Sequence, residues 1–547
     1  MRVVGVWEDA KSGLLPSNDM NAVVDMDPAL EFEQLMLRKQ EPILEAIANR
    51  DSPIQRFYSG SKIFITGGYG FIGKLIIEKI FRACNVDKIY VLIRSKKNLK
   101  PRERLTEVLK DPVFSKLHAE QPDFVNKIIA VEGDLGQPNI GMNDDDWNTV
   151  QEVDIIFHVA AHIRFDGELK QAIFTNVRGT REVLRLGKSC KNLRALVHVS
   201  TAFTHAKESR RGCVVSERFY ESPGDPDAII NIAESLDLEK LEETRQLMLR
   251  DWPNTYTMSK ALADELVRKM ADDLPICIVK PTLVISSYSE PCPGWLDMTC
   301  VYGATGFLLG IGLGLIHIVL VNKRKRLDIV PADMVANAVV ASAWETAKKT
   351  SNEPQIYTVT SNRNPITWDF YSQVVRTVGP DYASPKVVWS PFVIETKSEL
   401  IFFIFTWILH FVPAYIIDVV CLLLGKPRRF VKLYEKVYKS NKLFSHFIQK
   451  EWLFCDKNLQ ELYKKMSNTD KTIFNFNIVT VNMKQLITTW ILGIRKYLIK
   501  DDLKGTEFAK KKTFWLNILN YIILTVYAFC WWKILKLIFW SAVKLYN

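Results

Sequence analysis

Cysteine and histidine are scarce, with nine and eight residues in a chain of 547. No C-x-x-C pair occurs and no histidine stands beside a cysteine at ligand spacing. That argues against a zinc ribbon, an iron–sulfur cluster and a disulfide framework, and no bound metal is expected. Reduced thiols facing the cytosol are the simplest reading. The N-terminus carries Glu8 and Asp9 soon after Met1-Arg2 and lacks an apolar core long enough for a secretory signal. Internal repeats and low-complexity tracts are also missing. What remains is 48% hydrophobic and 24% charged, which is globular and excludes a disordered or collagen-like chain. The length implies roughly three domains.

The net charge of +11 is concentrated. Residues 425–512 hold 20 Lys/Arg against 8 Asp/Glu, an excess that accounts for the whole surplus. This basic stretch lies between two apolar runs, Ile401–Leu424 and Phe514 to about Val543, so a membrane surface rather than nucleic acid is the expected partner. The first run is long enough to cross a bilayer, yet it contains His410, Pro413 and Asp418, which are unfavourable in lipid unless paired. The second holds Asn517, Asn520, Lys533 and Lys536, with Trp515, Trp531 and Trp532 suited to a membrane interface. If both runs spanned, the basic stretch would lie opposite the N-terminal two-thirds of the chain; the positive-inside tendency keeps that stretch cytosolic. The first run is therefore expected to be buried or re-entrant, with a core helix pair as its alternative. The C-terminal run is expected to be the anchor, as a span, hairpin or interfacial helix.

Short apolar, β-rich runs recur at Lys62–Thr66, Lys88–Ile93, Ile128–Val131, Val153–Val159, Ala195–Ser200 and Ile276–Lys280, with helix-compatible stretches between most of them. That alternation predicts a doubly wound parallel α/β sheet ending near 350–354. A polar excursion, Lys207–Arg250, reads equally as a lid over the substrate or as a surface insertion.

The first strand runs into Thr66-Gly67-Gly68-Tyr69-Gly70-Phe71-Ile72-Gly73. Glycines at 67, 70 and 73 permit a tight turn, backbone approach to a pyrophosphate, and close helix–strand packing. The diphosphate then meets free N–H groups at the next helix's N-terminus. After the second strand no Asp or Glu stands ready for ribose hydroxyls. Arg94, with Lys96 or Lys97, suits a 2′-phosphate instead, so NADPH is the expected cofactor. Gly133-Asp134-Leu135 follows the third strand and would bring Asp134 to the adenine. Tyr256-Thr257-Met258-Ser259-Lys260 puts a phenol and an ammonium on one helix face. The cation is expected to lower the phenol's pKa from about 10 and make Tyr256 a usable acid. The same spacing recurs at Tyr438 and Lys442 without a cofactor fold around it. Val199-Ser200-Thr201, at a strand end, offers a hydroxyl to polarise a carbonyl, Thr201 first and Ser200 second.

Thr66–Gly73, Gly133-Asp134-Leu135, Ala160-Ala161, Asn176, Thr201, Tyr256 and Lys260 together resemble the extended short-chain dehydrogenases/reductases. Phe57-Tyr58, Glu290-Pro291-Cys292-Pro293-Gly294-Trp295 and Asp328-Ile329-Val330-Pro331-Ala332-Asp333 narrow the resemblance to alcohol-forming fatty acyl-CoA reductases. It extends over most of the chain from about residue 50. Lys280 departs from the arginine common before the family's proline, and Gly312-Leu313-Gly314 lacks the lysine often found between those glycines.

The resemblance implies a Rossmann-type catalytic domain over 56–354 after an N-terminal extension, 1–55. A mainly helical C-terminal domain, 355–512, and a membrane anchor, 513–547, would follow. It implies cofactor contacts from Thr66, Gly67, Gly70, Phe71, Ile72, Gly73, Arg94, Asp134, Leu135, Ala160, Asn176, Lys260 and Pro281, and catalysis by Thr201, Tyr256 and Lys260. The implied reaction is two-step reduction of a long-chain acyl-CoA to a primary alcohol through an aldehyde, with release of CoA. Gly303–Val321 followed by Lys323-Arg324-Lys325-Arg326 reads as an acyl wall beside a cationic site for CoA phosphates, or as a buried helix with a solvated basic end. The alternatives for the whole chain are a membrane-anchored sterol or steroid dehydrogenase, a reductase stopping at the aldehyde, and a non-catalytic NADPH-binding scaffold. The endoplasmic reticulum membrane, catalytic domain towards the cytosol, is the expected location, with the peroxisomal membrane as the alternative.

Overall fold

All six expected strands form, and a seventh joins them, in the computed structural model, which describes residues 26–95, 99–301, 303–348 and 353–546. The strands are β1 (Lys62–Thr66), β2 (Lys88–Ile93), β3 (Ile128–Glu132), β4 (Ile155–His158), β5 (Ala195–Val199), β6 (Ile276–Pro281) and β7 (Gln355–Val359). They pair in parallel in the order β7-β6-β5-β4-β1-β2-β3. Growth of the sheet reverses between β1 and β4, and a sheet of this kind binds ligands in the crevice beyond the carboxyl ends of its strands at that reversal.

Both faces of the sheet are covered, which is why its central strands are apolar almost throughout. Helices α1 (Phe71–Ala83) and α3 (Ala332–Thr346) bury Ile63 and Ile65 on one side. Helix α2 (Thr255–Met270) and the helix Gly179–Ser189 bury Phe64, Ile156 and Leu196 on the other. A fully buried Leu- or Phe-sized side chain contributes about 1.5–3 kcal/mol.

The expected domain limit at 354 is corrected: β7 begins one residue later and belongs to the main sheet. Its sequence mixes polar and apolar residues because β7 is an edge strand, and the C-terminal region closes that edge. Asn458 Nδ2 donates to Ile356 O at 3.0 Å, and Glu217 accepts from Thr358 N at 2.7 Å. The second half of the polar excursion 207–250 packs outside the helices that follow β4, where Arg178 meets Glu234 at 3.0 Å and Glu242 accepts from Leu169 N at 2.7 Å. Its first half lies against the C-terminal region, where Val214–Val215 pairs in parallel with Leu453–Phe454. It is a surface insertion, and none of its residues lines the cavity at the crevice between β1 and β4.

Beyond the sheet come helices α4 (Glu399–Leu423), α5 (Phe430–Ile448) and α6 (Thr506–Tyr546). Helix α4 is neither buried nor a core pair. It is one helix of 25 residues with a broad exposed apolar face, and its Thr406, His410 and Asp418 are turned inward. The N-terminal helix Pro28–Arg38 is tied to the start of α6, where Asp27 accepts from Thr506 N at 2.9 Å.

Candidate active site

A cavity of about 520 Å³ opens at the crevice between β1 and β4. Gly67, at φ +74°, turns the chain out of β1; a Cβ there would meet Ala160 N at 2.6 Å. At Gly73 a Cβ would meet Gly67 O at 2.2 Å. Only glycine fits either place, so the turn lies tight against α1 and leaves that helix's first N–H groups, uncapped by any side chain, facing the cavity. This is a cradle for a dinucleotide diphosphate.

Arg94 stands at the β2 end of the cavity and meets Asp134 Oδ2 at 3.3 Å across a half-exposed ion pair. Lys96 and Lys97 lie outside the described residues. Two residues that sequence reasoning missed stand nearby. Tyr69, inside the glycine turn, lines the cavity, and the Arg104 guanidinium covers its ring at 5.4 Å. Arg104 also donates to Arg94 O, which ties the two cations together. Tyr69 was readable from its place in the turn; Arg104 carries no local signal.

The reacting end is built from β5, β6 and α2. Val199, Ser200 and Thr201 continue β5 to the cavity wall, and Tyr256 and Lys260 rise from α2. Lys260 is buried and donates to Val199 O at 2.7 Å. Desolvation brings its pKa down to about 8, while Asp264, one turn along, pulls the other way. The Tyr256 phenol is pushed up to about 12 by burial; its hydrogen bond with the Thr201 side chain offsets part of that.

The expectation that Lys260 lowers the Tyr256 pKa is therefore corrected. One donor of the ammonium goes to a backbone carbonyl, and Thr201 is the group that pulls the phenol down. Thr201 Oγ1 also accepts from Phe203 N at 3.3 Å, whereas Ser200 Oγ is buried without a partner among the described residues. Beneath α2 the departure noted at Lys280 is compensated: Lys280 Nζ pairs with Asp264 at 2.7 Å.

Gly67, Gly70, Phe71, Ile72, Gly73, Arg94, Asp134, Leu135, Ala160, Ser200, Thr201, Tyr256, Lys260 and Pro281 share this one cavity. Thr66 and Asn176 stand behind its wall. Thr66 Oγ1 bonds His158 Nδ1 at 2.8 Å and accepts from Ala160 N at 3.3 Å. Asn176 accepts from His162 N at 2.7 Å and donates to Ser259 Oγ at 2.9 Å, pinning the loop after β4 to α2. Both position the cavity lining from the outside. The cationic run expected at Lys323–Arg326 is largely neutralised: Lys323 pairs with Asp369 at 3.0 Å and Arg326 with Glu451 at 3.4 Å. Among the described residues no His, Cys, Asp and Glu group could hold a metal.

A nicotinamide dinucleotide fits this arrangement: a glycine cradle for the diphosphate, cations at the adenosine end, and a Thr–Tyr–Lys set at the other. Comparison with known proteins agrees. The family model described as "Male sterility protein" matches residues 65–339, and a second of the same description matches 409–501. The fatty acyl-CoA reductase wat of Drosophila melanogaster is 35% identical over 89% of this chain and 94% of its own length. Fatty acyl-CoA reductase 1 of Homo sapiens is 30% identical over 88% and 93%. Among solved structures, the reductase domain of a nonribosomal peptide synthetase from Mycobacterium tuberculosis has the same fold, with a TM-score of 0.52 at 18% identity, over 87% of this chain and 99% of that one.

Proposed function

The chain belongs to the fatty acyl-CoA reductase family, and from that premise we propose that it reduces a long-chain acyl-CoA to the primary alcohol with NADPH, releasing CoA. The observation that carries this reading is the convergence of Thr201, Tyr256 and Lys260 with the glycine cradle in one cavity. The bound cofactor supplies hydride to the carbonyl carbon. The chain's own residues do the rest.

The Tyr256 hydroxyl, and Thr201 Oγ1 once its single O–H turns from Pro281 O at 3.4 Å, hold the carbonyl oxygen, so negative charge that builds there meets two donors. A phenol at about 12 is fully protonated at neutral pH, so Tyr256 enters the reaction as a proton donor. In the thioester step the held oxygen re-forms the carbonyl as the C–S bond breaks, and CoA leaves as the thiolate, which takes its proton from solvent; each of the two steps uses one NADPH. In the aldehyde step Tyr256 protonates the alkoxide. Lys260, positively charged below about pH 8, orients the cofactor ribose with the donors that its bond to Val199 O leaves free. Arg94 carries the preference for a 2′-phosphate, with Arg104 holding its backbone. The apolar helices α4 and α6 support membrane association, with the endoplasmic reticulum as the proposed compartment and the peroxisomal membrane as its alternative.

The test uses membranes containing the protein, NADPH and a mixed set of saturated acyl-CoAs, with products followed by mass spectrometry. Alcohols are expected with the unmutated protein, and none with Tyr256→Phe, which should still bind NADPH. Near-normal turnover by Tyr256→Phe would overturn the mechanism. Aldehyde alone would identify a single-step reductase. No product from any acyl-CoA, with NADPH still bound, would turn the reading to a sterol dehydrogenase and then to a scaffold.

A further inference from the structure

Helix α4 has two sides of opposite character. Phe402, Thr406, His410, Ala414 and Asp418 are buried in a ladder of four-residue spacing. A four-residue step overshoots the 3.6-residue turn, so such a ladder drifts around an ordinary helix. The wider π turn at Trp407–Phe411 brings it back to one side. The ladder is tied to the body at both ends and at its middle. Phe402 stacks on Tyr438 of α5 with ring centroids 5.6 Å apart. His410 Nε2 accepts from His317 N at 2.9 Å, and its ring stacks on Tyr434 at 4.7 Å. Asp418 accepts from the N–H groups of Arg429, Phe430 and Val431 at 3.0, 3.1 and 3.0 Å, capping α5. The other side of α4 exposes Ile401, Ile404, Trp407, Ile416, Val420 and Leu423.

Length alone would let α4 cross a bilayer. Its partner forbids it. Helix α5 runs back antiparallel along α4, facing it with Tyr434 and Tyr438. Lys432, Lys436 and Lys439 recur on the opposite side of α5, all exposed and without an ion pair among the described residues. A spanning α4 would drag those ammonium groups through hydrocarbon, where charge is strongly disfavoured. Stacked flat, the same pair is amphipathic as a unit: apolar side of α4, then α5, then lysines in water.

We propose that α4 is an in-plane helix, its apolar side sunk in one leaflet of a lipid bilayer and α5 riding above it on the aqueous side. The proposal rests on the reading that the protein associates with membranes. It also joins the leaflet to the chemistry, because the far end of α5 reaches the active site. Phe444 and Phe447 pack on Phe165 at 5.0 and 5.5 Å, and Phe165 stacks on Tyr256 at 5.7 Å. The catalytic tyrosine is thereby held at a set height above the lipid.

The test uses the full-length protein reconstituted in phosphatidylcholine vesicles, with single cysteines at Ile404, Ile416 and Leu423 in a background whose accessible cysteines are serine. Each carries a fluorophore quenched by lipids bearing a nitroxide at shallow or deep positions. All three are expected to be quenched to within about twofold of one another by the shallow lipid, and several-fold less by the deep one. Deep quenching that peaks at Ile416 would overturn the proposal. So would vesicle binding without quenching at any position, which leaves membrane association standing. Protein that does not sediment with vesicles would overturn both. As a second arm, Lys426→Cys in the α4–α5 turn is expected to react with an impermeant maleimide in sealed microsomes with the catalytic domain outward. Reaction only after permeabilisation would show that α4 spans.

Discussion

The spacing Y-x-x-x-K occurs twice, on α2 and on α5, and the two sites have opposite fates. On α2, Tyr256 bonds Thr201 and faces the cavity, while Lys260 is buried against Val199 O. On α5, Tyr438 lies on Phe402 with ring planes 10° apart, and Lys442 reaches Glu399 at 2.6 Å on the surface. The helix delivers both pairs to one face in the same way. What differs is the surface met. A strand end with free hydroxyls and a glycine cradle makes the first pair reactive; an apolar helix makes the second a clamp.

The widest gap between the pairs should open when the lysines are removed. Lys260→Met is expected to lower turnover by about 10²–10⁴-fold, the range of a lost acid–base partner, with cofactor still bound on fluorescence titration. A loss below about tenfold would erase the distinction between the sites. The pH profile sharpens it further. Lys260 is charged below about pH 8 and neutral above, so kcat is expected to fall as pH rises through about 8. In Lys260→Arg the guanidinium stays charged and that alkaline limb should vanish, at a lower plateau rate. A limb that persists in Lys260→Arg would assign it to another group.

The next effect is smaller and belongs to the adenosine end. Arg94→Ser removes a charge-assisted contact worth roughly 1.5–3 kcal/mol, so KM for NADPH should rise about 10–100-fold. KM for NADH should stay within about twofold, because Asp134 remains held by Gly136 N at 2.9 Å. Equal losses for both cofactors would mean that Arg94 supports the loop and does not read the phosphate.

These sites differ in how well the sequence displays them. The strands, the glycine turn and the Tyr256–Lys260 pair are local patterns, and each forms where expected. The seventh strand was hidden because edge strands mix polar with apolar residues, and Asn458, which covers it, is 102 residues away. Thr66 and Asn176 were expected to touch the cofactor, but their bonds to His158 and His162 place them behind the cavity wall. The inward turn of His410 and Asp418 depends on His317 and on the start of α5. A run of apolar residues announces a helix and its length; it carries no record of which side a distant strand will claim. The expectation for the Tyr256 pKa failed for a related reason, since burial raises it and the hydroxyl that offsets part of that rise belongs to Thr201, on a strand end far from the Tyr256–Lys260 pattern.

The smallest effect belongs to the second lysine. Lys442 and Glu399 approach closely, but their side chains are 35% and 67% exposed. Water screens such a pair, and holding two long side chains in place offsets much of the remaining attraction. Lys442→Met should therefore change unfolding free energy by only about 0–1 kcal/mol and leave turnover within twofold, measured by denaturant titration beside the acyl-CoA assay. The contrast with Lys260→Met removes spacing as the explanation, because the two substitutions delete the same atoms from the same position of the same pattern. A Lys442→Met loss as large as that of Lys260→Met would mean that the α4–α5 pair controls the catalytic tyrosine through Phe444 and Phe165, and that the two halves of the molecule work as one site.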